Sequence, residues 1–298
     1  MSETWTIAAA QYPLHRVRDF KAYAEHIHTW VEEGARRAQL LVFPEYASVE
    51  IGGMIEGPEG LNSKNLLRVI ARWRPELDEL HAQLSRRFGV YILAGSCPSV
   101  DHAGVVRNAA RLFAPSGAMG VQDKLMMTRF EDEEAGVSPG RGPQVFDTSL
   151  GRIGIATCFD IEFPLITRAM VEAGAEVILA PSCTEALHGY WRVRVGAQAR
   201  ALENQCYVVQ SPLLGRASWL HGFEQNTGAA GVFAPPDGEF PADGVVALGA
   251  MNAPGWTYAE IKFDALARVR HEGAVFNYKH WGLQPGATPL PAVLQPLD

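Results

Sequence analysis

Extended apolar runs alternate with helical periodicity along most of this chain of 298 residues, and no other feature restricts its fold as much. Residues 4–11 and 40–43 read as strands, and the apolar residues from Phe20 onward fall on one face of a helix between them. A strand, a helix and a second strand in succession are typical of layered α/β proteins, in which helices cover a sheet. The alternation resumes after Cys158, with helices expected over residues 165–174 and 191–204. We therefore predict an α/β fold.

Two regions refine this prediction. Residues 65–88 have helical periodicity but contain Pro75, which lacks a backbone donor and predicts that the helix bends or divides there. Residues 105–124 hold two apolar runs around Pro115-Ser116-Gly117, a turn that joins neighbouring antiparallel strands. Because no repeat or linker divides the chain, we expect one domain over residues 1–298, with a C-terminal tail from about residue 281.

Composition and charge exclude several classes of partner. The net charge is −7 and the basic residues are scattered, so the positive surface expected for nucleic-acid binding is missing. No apolar stretch approaches the roughly 20 residues that a membrane helix needs, so we expect a soluble protein with no membrane contact. The N-terminus lacks the basic segment of a secretory signal, which predicts a cytoplasmic location.

The cysteines and histidines give no sign of a metal or a disulfide. Cys97, Cys158, Cys183 and Cys206 lie far apart in the sequence, and none forms a Cys-x-x-Cys pair. His26 and His28 are two residues apart on a predicted helix and point to different sides of it. We therefore expect free thiols, no bound metal and no cofactor.

One cysteine has the surroundings of a nucleophile. Cys158 ends an apolar strand that runs into an acidic turn, while Glu45 and Lys124 close two other strands. A thiol needs a base or a nearby cation to attack, and one glutamate can take its proton, protonate a leaving amine and later activate water. An ammonium such as that of Lys124, with the backbone N–H of residue 159, can stabilise the oxyanion that forms. Taken singly, each residue also has an ordinary explanation, as a buried thiol or a surface charge.

Together these residues resemble a known family, the nitrilase superfamily of carbon–nitrogen hydrolases, over nearly the whole chain. Phe43-Pro44-Glu45 is similar to the family's base motif, Asp123-Lys124-Leu125 to its lysine motif, and residues 158–164 to its nucleophile motif. The resemblance implies a four-layer α-β-β-α sandwich with mixed sheets, which commonly pairs with a second copy, so a homodimer or higher homo-oligomer is expected.

The resemblance also implies roles for individual residues. Cys158 is the expected nucleophile, Glu45 the base and Lys124 the oxyanion donor. Family members use a second glutamate between the lysine and a Pro-Gly turn, and distance to Pro139-Gly140 favours Glu133, with Glu134 as the alternative. Tyr46, Phe159 and Trp191 are expected to line the substrate pocket.

Departures from the common family pattern concern the substrate. Met126 replaces a frequent histidine and Glu162 a frequent arginine, while Phe159-Asp160 is closer to the amidase and ω-amidase branches than to true nitrilases. We predict an amidase that converts a small carboxamide to an acid and ammonia through a Cys158 thioester. A nitrile or an N-carbamoyl compound is the alternative substrate, and a catalytically silent binding protein is the alternative outside enzymes. A Cys158–His188 dyad lacks a supporting local motif.

Overall fold

The computed structural model describes residues 4–285 and 292–298. Short 3-10 or π-helical turns cover Ala47–Met54, Pro58–Gly60, Ala71–Trp73, Phe130–Ala135, Cys158–Glu162 and Trp281–Leu283. The strands are β1 (Thr4–Pro13), β2 (Leu40–Val42), β3 (Tyr91–Val100), β4 (Val106–Phe113), β5 (Met119–Asp123), β6 (Gln144–Thr148), β7 (Gly151–Ile155), β8 (Val177–Ser182), β9 (Tyr207–Leu214), β10 (Gly231–Phe233), β11 (Val245–Leu248), β12 (Gly255–Lys262) and β13 (Val293–Pro296). The α-helices are α1 (Phe20–Ala35), α2 (Ser63–Ile70), α3 (Arg74–Phe88), α4 (Pro164–Glu172), α5 (Leu187–Asn204), α6 (Phe263–Glu272) and α7 (Asn277–His280).

The strands form two mixed sheets that meet at one point. In the first sheet β1, β2 and β3 are parallel, and β12, β4 and β5 add antiparallel neighbours. In the second, β7, β8 and β9 are parallel, β13 runs parallel to β6, and β6, β10 and β11 add antiparallel pairs. The end of β1 pairs with the end of β9 through Tyr12 and Leu213, and this contact joins the two sheets.

Three apolar cores separate four layers. The core between the sheets includes Ile7 from β1 and Leu179 from β8. A second core packs Ile27 of α1 against the outer face of the first sheet, and a third packs Met170 of α4 and Ala197 of α5 against the outer face of the second. Helices, sheet, sheet and helices therefore lie in the order expected of the α-β-β-α sandwich.

Strand β8 illustrates why the central strands read as unbroken apolar runs. Val177 and Leu179 point into the core between the sheets, whereas Ile178 and Ala180 point into the core beneath α4 and α5. Successive side chains of a strand face opposite sides, so a strand covered on both faces is apolar at successive positions, as β8 is from Val177 to Ala180.

Most predicted elements are confirmed. Of the bend or division that Pro75 predicts in residues 65–88, the structure shows a division, because α3 begins at Arg74 with the proline in its first turn. Strands β4 and β5 pair antiparallel around the predicted turn. Among the described residues, no helix combines the length and apolar character needed to cross a membrane.

The C-terminal segment contains regular structure that the sequence analysis did not assign. Helix α6 and strand β13 were not predicted, and β13 pairs with β6, so the end of the expected tail rejoins the second sheet. Leu297 is buried there, and the Tyr91 hydroxyl donates a hydrogen bond to the Asp298 side chain. Part of the expected tail, residues 286–291, lies outside the described residues.

Candidate active site

Three chain segments bring charged and nucleophilic groups together between the sheets. Glu45 follows β2 and Lys124 follows β5, both in the first sheet, whereas Cys158 follows β7 in the second. Glu45 and Lys124 are each 1% exposed and Cys158 is 4% exposed. The structure thus brings together the three residues that the sequence analysis placed in one centre.

A buried lysine lies between two carboxylates. The Lys124 Nζ atom donates to Glu45 Oε1 at 2.8 Å and to Glu131 Oε2 at 2.5 Å. The Asn108 side-chain amide donates to both carboxylates, at 2.9 Å to Glu45 Oε1 and 3.0 Å to Glu131 Oε1. An ammonium has three donors, so these two contacts leave Lys124 one N–H for another acceptor.

The second glutamate of the centre is Glu131, which corrects the prediction of Glu133. Glu133 and the alternative Glu134 are both exposed, and the Glu133 carboxylate accepts a hydrogen bond from Arg129 at the surface. The segment Phe130–Ala135 forms a single π-helical turn, and it carries Glu131 inward and the next acids outward. Distance along the chain to the Pro-Gly turn does not reveal which side of such a turn faces the core.

A local sequence signal for Glu131 was present. The Thr128 hydroxyl and backbone N–H donate to Glu131 Oε2, each at 3.0 Å, and the Glu131 N–H donates to Thr128 Oγ1 at 3.3 Å. This reciprocal arrangement is a capping box, whose signature is Ser or Thr followed three residues later by Glu or Gln. Among the acids of this segment, Glu131 occupies the fourth position of that signature.

The backbone at Cys158 is strained. This residue has a φ of +50°, and it begins the 3-10 turn Cys158–Glu162 directly after the extended Thr157. A left-handed conformation is unfavourable for a residue with a side chain, and it persists where surrounding structure enforces it. Tyr46, which follows Glu45, is also left-handed, with a φ of +58°. Both sharp turns lie beside groups of the buried centre.

The thiol lies against the segment that follows β8. Its Sγ atom is 3.6 Å from the Cys183 carbonyl oxygen, and the thiol is near enough to Glu45 for the two groups to affect each other's pKa. Glu45 Oε2 in turn accepts the Cys183 backbone N–H at 3.0 Å. Glu45 thus binds the backbone segment against which the Cys158 thiol lies and, through its other oxygen, Lys124.

The pKa values follow from burial and from the arrangement of charges. Burial raises the pKa of the Cys158 thiol well above its usual range, and the charge of Glu45 raises it further. Burial also raises the pKa of Glu45, against the opposing effect of Lys124. Although burial alone lowers the pKa of Lys124, the charges of Glu131 and Glu45 raise it well above its ordinary value. The lysine is therefore cationic and the resting thiol carries its proton.

Asp160 fixes the segment that carries the lysine. Its carboxylate accepts the backbone N–H groups of Leu125 and Met126, at 3.1 and 2.7 Å respectively. Burial raises the pKa of Asp160 to about 7, although these hydrogen bonds and the charge of Lys124 act in the opposite direction. The turn that begins at Cys158 is thereby tied to the segment that follows Lys124.

The three residues predicted to line a substrate pocket have different surroundings. Tyr46 is buried, and its hydroxyl donates to Glu131 Oε1 at 3.0 Å, so it supports the charged centre. Phe159 is partly buried and packs edge-on against Phe163, with ring centroids 4.9 Å apart. Trp191 is 48% exposed and lies on the outer side of α5. The structure therefore places Tyr46 in the buried centre, Phe159 next to Cys158 and Trp191 at the surface.

An open groove runs along α5. Its volume is about 920 Å³, and its lining includes Trp191, His188 and Val195. Glu162, at the end of the turn Cys158–Glu162, also lines it, and its carboxylate lies 3.5 Å from Arg192 Nε. His188 is an exposed residue of this groove, which gives the alternative Cys–His dyad no support.

Comparison with known proteins places these features in context. A family model described as carbon–nitrogen hydrolase matches residues 6–231. The chain is 33% identical to "Probable hydrolase YhcX" of Bacillus subtilis over 274 residues, which is 92% of this chain and 53% of that protein. The match therefore spans about half the length of the Bacillus protein.

Two further relatives extend the comparison. A "Deaminated glutathione amidase" of Synechocystis is 33% identical over 203 residues, which covers 63% of this chain and 70% of that protein. The crystal structure of Nit3 from Saccharomyces cerevisiae, described as a member of the nitrilase superfamily, superposes with a TM-score of 0.70. That superposition covers 91% of this chain and 94% of Nit3 at 20% identity, so it concerns the fold alone.

Proposed function

The chain belongs to the carbon–nitrogen hydrolase family, and from this premise we propose that it hydrolyses a small carboxamide to a carboxylic acid and ammonia. The observation that carries the proposal is the buried group in which Glu45 binds Lys124 and the Cys183 backbone N–H, while the Cys158 thiol lies against the Cys183 carbonyl oxygen. The nucleophile, the base and the cation are thereby within one hydrogen-bonded group. The name of the Synechocystis relative, an amidase, favours an amide over the alternative nitrile and N-carbamoyl substrates.

The first half of the reaction forms a thioester. Glu45 takes the Cys158 proton as the sulfur attacks the amide carbon, and the carbonyl oxygen becomes an oxyanion. The remaining Lys124 N–H and the Phe159 backbone N–H are the proposed donors to this oxygen, and loss of one such donor typically costs about 3 kcal/mol of transition-state stabilisation. Glu45 then returns the proton to the nitrogen as the C–N bond breaks, and ammonia leaves.

The second half regenerates the enzyme. Glu45 takes a proton from water, whose oxygen attacks the thioester carbon, and the C–S bond breaks as Cys158 regains a proton. The raised pKa of Glu45 suits these transfers, because a base whose pKa lies nearer to the operating pH both accepts and returns protons readily. Glu131 touches neither the sulfur nor Glu45 in this scheme, and it acts by holding Lys124 in place.

Ammonia release from a panel of amides, nitriles and N-carbamoyl compounds tests the proposal. The expected result is release from carboxamides that disappears in Cys158→Ala and persists in Cys206→Ala. Cys206 is a matched control because it is a buried thiol in the core beneath α5. Release from nitriles alone, or release accompanied by carbon dioxide, would replace the amidase proposal with one of the two alternative substrates.

Detection of a covalent acyl adduct on Cys158 distinguishes a catalytic centre from that of a catalytically silent binding protein. Intact-protein mass spectrometry during turnover is expected to detect an adduct of acyl mass on Cys158, and this adduct should be absent from Cys158→Ala. In Glu45→Gln turnover should fall by about 10²-fold or more, since the base is lost while the side-chain shape is kept. Unchanged turnover in Glu45→Gln would remove the glutamate from the mechanism.

We also propose that the α5 groove pairs with a second copy of this chain. Leu187, Trp191 and Val195 follow one another at helical spacing and are 53%, 48% and 61% exposed. The same groove carries the acidic Glu162 and the basic Arg192. In a twofold-symmetric pair both copies present the same surface, so Glu162 of one copy can lie opposite Arg192 of the other. Light scattering is expected to give a dimer for the native chain and a monomer for Val195→Glu, and a native monomer would refute the pairing.

A further inference from the structure

A second group of polar side chains lies outside the candidate active site. His15 follows β1, His26 lies on α1, and Glu50 belongs to the 3-10 turn that begins two residues after Glu45. One potential ligand atom from each of the three residues lies within 4.8 Å of the others. The His15 and His26 ring centroids are 4.3 Å apart. His28, two residues after His26 on the same helix, contacts Phe88 and lies outside this group.

The buried carboxylate of this cluster has an unusual set of neighbours. Glu50 is fully buried, and its ion-pair neighbours within residues 4–285 and 292–298 are His15 and His26, with no lysine or arginine among them. The His15 Nδ1 and His26 Nε2 atoms lie 3.6 and 4.0 Å from Glu50 Oε1. The His26 Nε2 atom is itself buried and has no hydrogen-bond partner among the described residues. An unpaired buried nitrogen that faces a carboxylate is costly unless something binds between them.

The carboxylate is held in a fixed orientation. The Tyr12 hydroxyl donates to Glu50 Oε2 at 2.5 Å, and the His15 backbone N–H donates to Glu50 Oε1 at 2.6 Å. Outer partners of this kind orient metal-binding carboxylates and histidines in proteins. The His15 Nδ1 atom also lies 3.0 Å from the Pro13 carbonyl oxygen, which leaves Nε2 of that ring as the unengaged nitrogen when Nδ1 carries the proton.

From these contacts we propose that His15, His26 and Glu50 form a binding site for a divalent transition-metal ion such as Zn²⁺. Two imidazoles and one carboxylate are a ligand set that zinc accepts, with a fourth position for water. Tetrahedral zinc with bonds near 2.1 Å places its ligand atoms roughly 3.4 Å apart, so separations of up to 4.8 Å must shorten by about 1.4 Å at most. The His15 side chain is half exposed, so it is free to rotate toward the ion, and it opens the fourth position to solvent.

The site would join three segments that are far apart in the sequence. It connects the end of β1, the middle of α1 and the turn Ala47–Met54, which follows directly on the segment bearing Glu45. Its ligands do not belong to the Glu45–Lys124–Cys158 centre, so the inference does not depend on the proposed amidase activity. The role it assigns to the ion is structural.

A binding experiment on the full chain without a polyhistidine tag tests the proposal. Zn²⁺ is titrated calorimetrically into protein that carries Cys158→Ser, so that this thiol does not compete for the ion. The expected result is one equivalent bound, with affinity at least about tenfold weaker in His26→Gln and unchanged in His28→Gln. His28 is the matched control, since it lies on the same helix and outside the cluster.

A measurement of the ligand atoms and a second variant complete the test. X-ray absorption of the zinc-loaded protein should show nitrogen and oxygen ligands near 2.0–2.2 Å and no sulfur near 2.3 Å, where a site made of thiols would show it. If His26→Gln fails to fold, His15→Gln replaces it, because that side chain is half exposed. The proposal is overturned if the parent chain binds no Zn²⁺, if the ligands include sulfur, or if His26→Gln and His28→Gln bind with equal affinity. The cluster would then be only a contact between two histidines and a glutamate.

Discussion

Replacing Glu131 and Glu133 by glutamine, one at a time, compares two glutamates two residues apart with opposite surroundings. Glu131 accepts five hydrogen bonds inside the protein, two on Oε1 from Tyr46 and Asn108 and three on Oε2 from Lys124 and Thr128. Glu133 contacts Arg129, and the two side chains are 54% and 85% exposed. The same chemical change is therefore expected to have very different effects at the two positions.

The magnitude for Glu131→Gln follows from these hydrogen bonds. Glutamine keeps one acceptor oxygen and turns the other into a donor, so at least two of the five hydrogen bonds are lost in either orientation of the amide. Hydrogen bonds to a charged group contribute about 1.5 to 3 kcal/mol each, which gives a loss of roughly 3 to 6 kcal/mol. The buried centre holds two carboxylates and one ammonium, and removing one carboxylate relieves their repulsion. We therefore expect the lower end, about 3 kcal/mol.

For Glu133→Gln the expected change is below about 1 kcal/mol, since exposed ion pairs contribute little. Turnover should likewise fall strongly in Glu131→Gln and little in Glu133→Gln. Without Glu131, Lys124 loses one of its two anchors, and a displacement of about 1 Å in a catalytic group costs roughly 10²-fold in rate. Glu133→Gln should retain the turnover of the native chain.

Urea unfolding and amide turnover of both variants measure these quantities. Turnover is compared at a temperature at which circular dichroism shows both variants folded, so that loss of activity is not loss of fold. Equal stability and equal turnover of the two variants, or a larger effect at Glu133, would show that the buried position assigned to Glu131 is wrong.

Three other substitutions test the geometry around the centre. Asn108→Ser removes a donor that favours the ionised form of the proposed base, so the pKa of that base should rise and the acid limb of the kcat/KM profile should move to higher pH. Burial raises the pKa of Asp160 to about 7, so its stabilising contribution is present below about pH 4 and is lost as the pH rises through 7. Urea unfolding should therefore show the native chain losing stability relative to Asp160→Asn over that range, and a constant difference would contradict the assignment. Gly95 has a φ of +68°, and a Cβ atom there would lie 1.9 Å from the Pro44 carbonyl oxygen, so Gly95→Ala should lower the melting temperature far more than Gly89→Ala, whose φ is +64° with no atom within 4 Å of the added carbon. Similar melting temperatures for these two variants would contradict the close contact.

The order of elements and the main groups of the site could be read from the sequence. Alternating periodicity is a local property, and it predicted the layered fold because a strand or helix must bury its apolar face against another element. Glu45, Lys124 and Cys158 each stand at the end of a predicted strand, and their motifs matched one family in order. These inferences required only neighbours along the chain.

Other features depended on contacts between distant segments. Asn108 bridges Glu45 and Glu131 across separations of 63 and 23 residues, and no local pattern marks an asparagine in a strand as a donor to two carboxylates. His15 and Glu50 meet across 35 residues in a similar way. Tertiary structure also decided between Glu131 and Glu133, since the inward side of one π-helical turn is set by the elements that pack around it. Local sequence patterns thus account for the residue types that are available and for the positions of the elements. Long-range packing accounts for which side chains are buried and which partners they bind.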